Sequence, residues 1–307
     1  MQEFMWLKAG LLTVTVLLSA CGSQPSLSGA ALQDKYPDKK YIDIDGVALH
    51  YDQQGLGRPM VLLHGLGASS YVWRNIIPGL TYGTTVYTLD LMGFGYSEKP
   101  QDRRYDIETY VSQLDAFLQE LNLENPILGG QGAGALIVAL HAVRNPGAVR
   151  KLILVGAPLY DASPTLNVRL LGLPGLGQLL TGDWFLKRLF RAGVEAQEKM
   201  SDIALRPYLA PYQDDPGARL SLRKFIREFD AESVLEGEIT PQLSQMTVPT
   251  LLVWGPHDAI VPLEVGRQLD EDIPNSDISV ILRSGHYVQE DRPDLVRVAF
   301  KEFRDKS

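Results

Sequence analysis

Cysteine occurs once in this chain of 307 residues, as Cys21, so no intramolecular disulfide can form and the fold must be held by burial. Positive charge is in deficit. With 29 Lys and Arg against 37 Asp and Glu the formal net charge is −8, which argues against a general affinity for nucleic acid or anionic lipid headgroups. No cluster of His, Cys and carboxylate residues has metal-ligand spacing, and no metal is expected. The glycine-rich turn at Gly129 lacks the G-x-G-x-x-G order with a following acidic partner, so no dinucleotide is expected either. The chain is long enough for one large α/β domain with an insertion.

The N-terminus stands apart from the rest. After Lys8 an uncharged, mostly apolar run extends from Ala9 to Ala20, twelve residues that fall short of a bilayer span and match the apolar part of a signal peptide. It closes on Leu18-Ser19-Ala20-Cys21, which resembles the bacterial lipoprotein signal, whose cysteine is diacylglycerated and becomes the first residue after cleavage. That resemblance implies a signal peptide over 1–20, a lipidated Cys21, and an exported protein anchored to a bacterial membrane on its periplasmic or cell-surface side. Residues 21–39, rich in Ser, Gly, Gln and Lys, read as a flexible tether.

The stretch "YIDIDGVALHYD" alternates apolar and polar residues about Asp45-Gly46 and predicts a hairpin of two edge strands. Short apolar runs follow, at Met60 to Leu63, Thr85 to Leu89, Ile127 to Leu128, Leu152 to Val155, Leu251 to Trp254 and Ile278 to Leu282. Continuous runs of this length, with helical patterns between them, predict buried parallel strands. One helix should follow Asp106, placed to cap it, with Ile107, Val111, Leu114, Leu118 and Leu121 on one face; another should run from about Gly134 to Val143. The expected fold is a mostly parallel sheet flanked by helices, with a core of 40–158 and 249–307. Between them, residues 159–248 lack a convincing strand and carry "LLGLPGLGQLL", "WFLKRLF" and "SLRKFIREF". This predicts a helical cap over the active-site end of the sheet; the alternative is a surface resting on the membrane.

Candidate chemistry sits where apolar runs end: His64-Gly65-Leu66-Gly67, Asp90 with its glycine-rich turn, the cluster Gly130-Gln131-Gly132-Ala133-Gly134, Asp258, and the Gly285-His286 pair. Together these closely resemble the α/β-hydrolase fold, and more narrowly its capped esterase, lipase and carbon–carbon hydrolase branch, over about Lys40 to Phe303. The resemblance implies that Asp258 is the acid, that His286 is the base it orients, and that the amides of Leu66 and Ala133 form an oxyanion hole. His64 is expected to order its turn rather than react, and His50, His141 and His257 have no motif support. In the family's G-x-S-x-G elbow the serine position falls on Gly132, and Pro146 lies at the family's usual distance, fourteen residues on. The alternative alignment puts Gln131 at the apex.

Glycine offers no hydroxyl, thiol or carboxylate, so a covalent acyl-enzyme is not available; an aspartate, as in haloalkane dehalogenases and epoxide hydrolases, is absent as well. Three readings follow. The first is a hydrolase of carboxylic esters or related acyl substrates in which His286 and Asp258 activate a water. In the second the chain is a noncatalytic pseudohydrolase holding a small apolar or acyl-bearing ligand at the membrane surface. The third is an ordinary esterase altered at position 132. Ser69, Ser70 and Tyr71 are substitute nucleophiles in principle, but their loop does not aim at the histidine as the elbow does.

Overall fold

The computed structural model describes residues 26–162, 166–173, 177 and 180–306. Residues 1–25, which hold Cys21 and the expected signal peptide, lie outside them, as does much of "LLGLPGLGQLL". Residues 26–38, read from sequence as part of a tether, contain a helix, α1 (Gly29–Lys35). Ser28 caps it, accepting from the Ala31 amide, and Leu32 is buried. Lys35 Nζ donates to the Asp214 carbonyl and the Tyr36 hydroxyl to its carboxylate. A polar stretch is therefore docked by one leucine and two side-chain bonds that its composition does not advertise.

Seven strands form one sheet: β1 (Lys40–Ile44), β2 (Val47–Leu63), β3 (Tyr82–Leu89), β4 (Ile127–Gln131), β5 (Lys151–Val155), β6 (Thr250–Trp254) and β7 (Ser276–Val280). The hairpin is where the Asp45-Gly46 pair puts it, with both turn residues at positive φ and Ile44 opposite Val47. Only β1 is an edge strand there. β2 turns back near Gly55 to Gly57 and pairs with β3 twice: Tyr51 to Gly55 run against Leu89 to Thr85, and Leu56 to Leu63 run alongside Tyr82 to Leu89. From Met60 onward β2, β4, β5, β6 and β7 are parallel neighbours. Every residue of β4, β5 and β6 is buried, as continuous apolar strands covered on both faces should be. The edge strand β7 begins two residues earlier than its apolar run suggests. Its Ser276 and Asp277 pair with β6, while Leu282 leaves the sheet exposed.

Helix α2 (Ile107–Glu120) starts at Asp106, whose carboxylate accepts from the Thr109 amide, and buries Ile107, Val111, Leu114 and Leu118. Helix α3 (Ala133–Arg144) is buried along most of its length. Between β5 and β6 the described residues contain no strand and three helices of eight or more residues: α4 (Asp183–Ala192), α5 (Asp202–Asp214) and α6 (Ala218–Glu228). After β6 come α7 (Leu263–Asp272) and α8 (Pro293–Asp305). Parallel strands deliver the loops after β2, β4, β5 and β6 to one end of the sheet.

Candidate active site

Gly132 is the turn between β4 and α3. Gln131 is the last strand residue and Ala133 the first helical one, so the apex is Gly132 and not Gln131. Its φ of 54° with ψ of −115° lies where glycine is least strained. A Cβ built there would lie 3.3 Å from His286 Nε2, so a hydroxyl on this carbon would be within hydrogen-bond reach of the ring. The side chain of Gln131 turns away beneath Gly65, where its Oε1 is buried without a partner.

His286 Nδ1 is 2.8 Å from Asp258 Oδ2, and both side chains are buried. The other carboxylate oxygen of Asp258 accepts from the amides of Ile260 and Val261, each at 2.8 Å. Those two bonds fix the carboxylate, which leaves Oδ2 directed at the ring. Nδ1 then carries the proton and Nε2 faces the apex with its lone pair. Gly156, where the chain leaves β5 at φ 52°, makes room for the pair. A Cβ there would stand 2.9 Å from His286 Nδ1 and 3.2 Å from Asp258 Oδ2.

Leu66 and Ala133 line one cavity, the first on the loop after β2 and the second at the first turn of α3. Among the described residues neither N–H has a protein acceptor. His64 holds the first loop in place: it is buried, donates from Nδ1 to the Gly65 carbonyl and accepts at Nε2 from the Leu91 amide. Burial drives its pKa below the ordinary value, against the opposing effects of Asp90 and the Gly65 bond. It is neutral and structural.

A cavity of about 350 Å³ opens from this point. Leu66, Gln131, Gly132, Ala133 and His286 form its floor, and Phe185, Leu189, Phe225 and Phe229 of the helical segment its roof. Among the described residues of the lining, hydroxyl and carboxylate groups come from Tyr287 and Asp161, and neither is at the apex. Ser69, Ser70 and Tyr71 do not line it: Ser69 Oγ lies against the Tyr71 amide, the Ser70 amide donates to Asp90, and the Tyr71 ring stacks on Arg74. His141 pairs with Asp115 and His257 with Glu195, both away from the cavity lining. Among the described residues no group of three His, Cys, Asp or Glu side chains is arranged to hold a metal ion.

Two contributors escaped the sequence reading. Tyr212 of α5 donates its hydroxyl to the Gly67 carbonyl at 2.9 Å, beside the Leu66 amide. Arg188 of α4 lines the cavity with no hydrogen bond or ion pair to a described residue. No spacing rule marks either one, because both come from the helical segment and reach the site only through tertiary packing.

The alpha/beta hydrolase fold family matches residues 58–293, and the chain belongs to it. It is 29% identical over 269 residues to an uncharacterized hydrolase, YugF, of Bacillus subtilis (strain 168), covering 85% of this chain and 95% of the relative. It is 30% identical over 254 residues to a 2-hydroxy-6-oxononadienedioate/2-hydroxy-6-oxononatrienedioate hydrolase of Paraburkholderia xenovorans (strain LB400), covering 79% and 86%. Among solved structures it is similar to a mutant of the haloalkane dehalogenase DatA from Agrobacterium tumefaciens C58, with TM-score 0.77, 26% identity, and coverage of 87% and 96%.

Proposed function

We propose that this protein hydrolyses a carboxylic ester or related acyl substrate without a covalent intermediate, using water activated by His286 and Asp258. The observation that carries this reading is the empty apex. His286 Nε2 faces the side-chain space of Gly132, beside two unengaged backbone amides, at the floor of a mostly apolar cavity. A water oxygen in that space attacks the carbonyl carbon while its proton passes to His286 Nε2. Asp258 stabilises the imidazolium, and the amides of Leu66 and Ala133 hold the developing oxyanion. When the tetrahedral intermediate collapses, His286 returns the proton to the departing alkoxide; the products are a carboxylic acid and an alcohol. The family and the hydrolase names of its relatives support the reaction class. Dehalogenation, named for the DatA structure, is not proposed, because the apex supplies no carboxylate.

A second reading is favoured by the same glycine: a noncatalytic pseudohydrolase whose cavity holds an apolar or acyl-bearing ligand. In both readings we take the lipobox-like run to mean export and a lipid on Cys21, and we expect no nucleic-acid partner. Hydrolysis of short- and medium-chain activated esters separates the two. Water catalysis requires turnover by the parent that disappears in His286→Ala. Turnover seen only in Gly132→Ser, with a gain on the order of 10³-fold over the parent, makes the protein a binder on a hydrolase scaffold. If the parent and His286→Ala turn over equally, the assignment of His286 is wrong.

A further inference from the structure

The described chain begins against the helical segment. Ser26 lies against Gly217, where α6 begins, and α1 is tied to the end of α5 through Lys35 and Tyr36. Cys21 precedes Ser26 by five residues, and five extended residues reach at most about 18 Å. A lipid on Cys21 would therefore keep this end of the helical segment within about 18 Å of the bilayer.

The helical segment carries exposed apolar side chains. Trp184 and Leu173 are more than and nearly half exposed, at 57% and 48%. Between them Gly177 lies against the Arg223 side chain, while Gly172 approaches Arg227. Trp184 sits beside Asp183, which is bonded to Gln213 and Arg219, the neighbours of the α1 contact. Although the whole chain carries −8, α4 and α6 hold seven basic side chains against two acidic ones. Arg219, Arg223 and Arg227 recur every four residues along α6. Among the described residues Arg223 meets Thr181 and no carboxylate; burial and then the like charges of Arg219 and Arg227 push its pKa below the ordinary value. An exposed tryptophan and leucine rimmed by arginine form the chemistry of an interfacial membrane contact.

The geometry points to this face, Trp184 and Leu173 with the Arg219-Arg223-Arg227 stripe, as the surface that lies on an anionic lipid bilayer. The inference rests on the anchoring of Cys21, and it brings the cavity roofed by Phe185 and Phe225 next to the acyl chains. A ligand or substrate would then enter from the membrane.

The test uses the full chain, made with its own signal and reconstituted into vesicles of phosphatidylcholine and phosphatidylglycerol with brominated acyl chains. Trp73 and Trp254 are fully buried, so the emission lost on Trp184→Phe reports Trp184. Bromine should quench that difference by about twofold or more, and replacing phosphatidylglycerol with phosphatidylcholine, or Arg223→Gln with Arg227→Gln, should weaken the quenching. Equal Trp184 emission over brominated and plain lipid, with diacylglycerol on Cys21 shown by mass spectrometry, overturns the proposal. So does a mature chain whose Cys21 carries no lipid. Quenching does not depend on turnover, so failure of the hydrolase reading leaves this result intact.

Discussion

His50 and His286 each hold Nδ1 2.8 Å from a buried carboxylate, Asp90 in one case and Asp258 in the other. In each pair the carboxylate is also fixed by two backbone amides, those of Ser70 and Tyr96 at Asp90 and those of Ile260 and Val261 at Asp258. The pairs differ at the other ring nitrogen. His50 Nε2 is buried without a hydrogen-bond partner, and the ring is walled by Tyr41 and Tyr96. His286 Nε2 looks across 3.3 Å to the side-chain space of Gly132 and into a cavity. A histidine–carboxylate pair is thus not itself a reactive site. Under the proposed mechanism, what would make it one is open space on the far side of the ring together with the backbone amides of Leu66 and Ala133.

Removing one carboxylate charge from each pair is the most direct attempt to break this contrast. Asp258→Asn keeps an oxygen for the Ile260 and Val261 amides but offers the ring the wrong partner. In the Gly132→Ser chain, whose turnover can be followed over a wide range, kcat on an activated ester should fall by about 10³- to 10⁴-fold with little change in Tm. A fall below tenfold would mean that Asp258 does not orient His286. Asp90→Asn should do the reverse. Asp90 joins β2, the loop at Ser70 and the turn at Tyr96, and breaking a buried pair of this kind costs about 3 kcal/mol. Urea unfolding should show that loss while kcat of the folded fraction stays within a few fold.

The same contrast appears in acid. Burial raises the Asp90 pKa, but the charge and hydrogen bond of His50 and the Tyr96 amide outweigh it and bring the pKa well below the usual carboxylate range. His64, buried and neutral, titrates below its ordinary 6.5. Both folded pKa values lie under the unfolded ones, so the unfolded chain takes up protons first as pH falls. Stability is complete above about pH 6.5; it declines below that through His64, with a maximum slope of about 1.4 kcal/mol per pH unit, and again below about pH 4 through Asp90. Urea midpoints between pH 7.5 and 5 test the first limb. A flat profile would show that His64 is protonated inside the fold.

Much of this site was legible because it lies where apolar runs stop. Strands β5 and β6 announce themselves by composition, and the turn after β4 and the loop after β6 carry the two residues that the sequence singles out, Gly132 and Asp258; Gly156, directly after β5, carries no such mark. Helix α5 was not legible. Pro207 and Pro211 interrupt its pattern, yet the helix runs from Asp202 to Asp214 and buries Leu205, Tyr208, Leu209 and Tyr212. Tertiary burial of that face outweighs the two lost backbone bonds. Helix α1 was hidden differently: a single leucine, Leu32, docks a segment whose composition reads as linker. Where stabilisation comes from contacts with distant elements, local pattern has nothing to report.

Tyr212 makes the smallest and most specific test of how the two regions cooperate. Its ring is buried in the helical segment, and its hydroxyl crosses to the Gly67 carbonyl, one residue from the Leu66 amide. Burial holds the phenol protonated, so it acts only as a donor to this carbonyl. Tyr212→Phe keeps the packing and removes the bond, leaving a loop carbonyl to find water. The expected loss of stability is about 1 kcal/mol, seen in urea unfolding. If the hydroxyl also fixes the angle of the Leu66 amide, kcat in the Gly132→Ser chain falls several-fold with KM unchanged, because an oxyanion donor acts on the transition state and not on the bound ester. Equal falls in 1/KM and kcat/KM would instead place Tyr212 in ligand binding, and the loop would then owe its geometry to His64 alone.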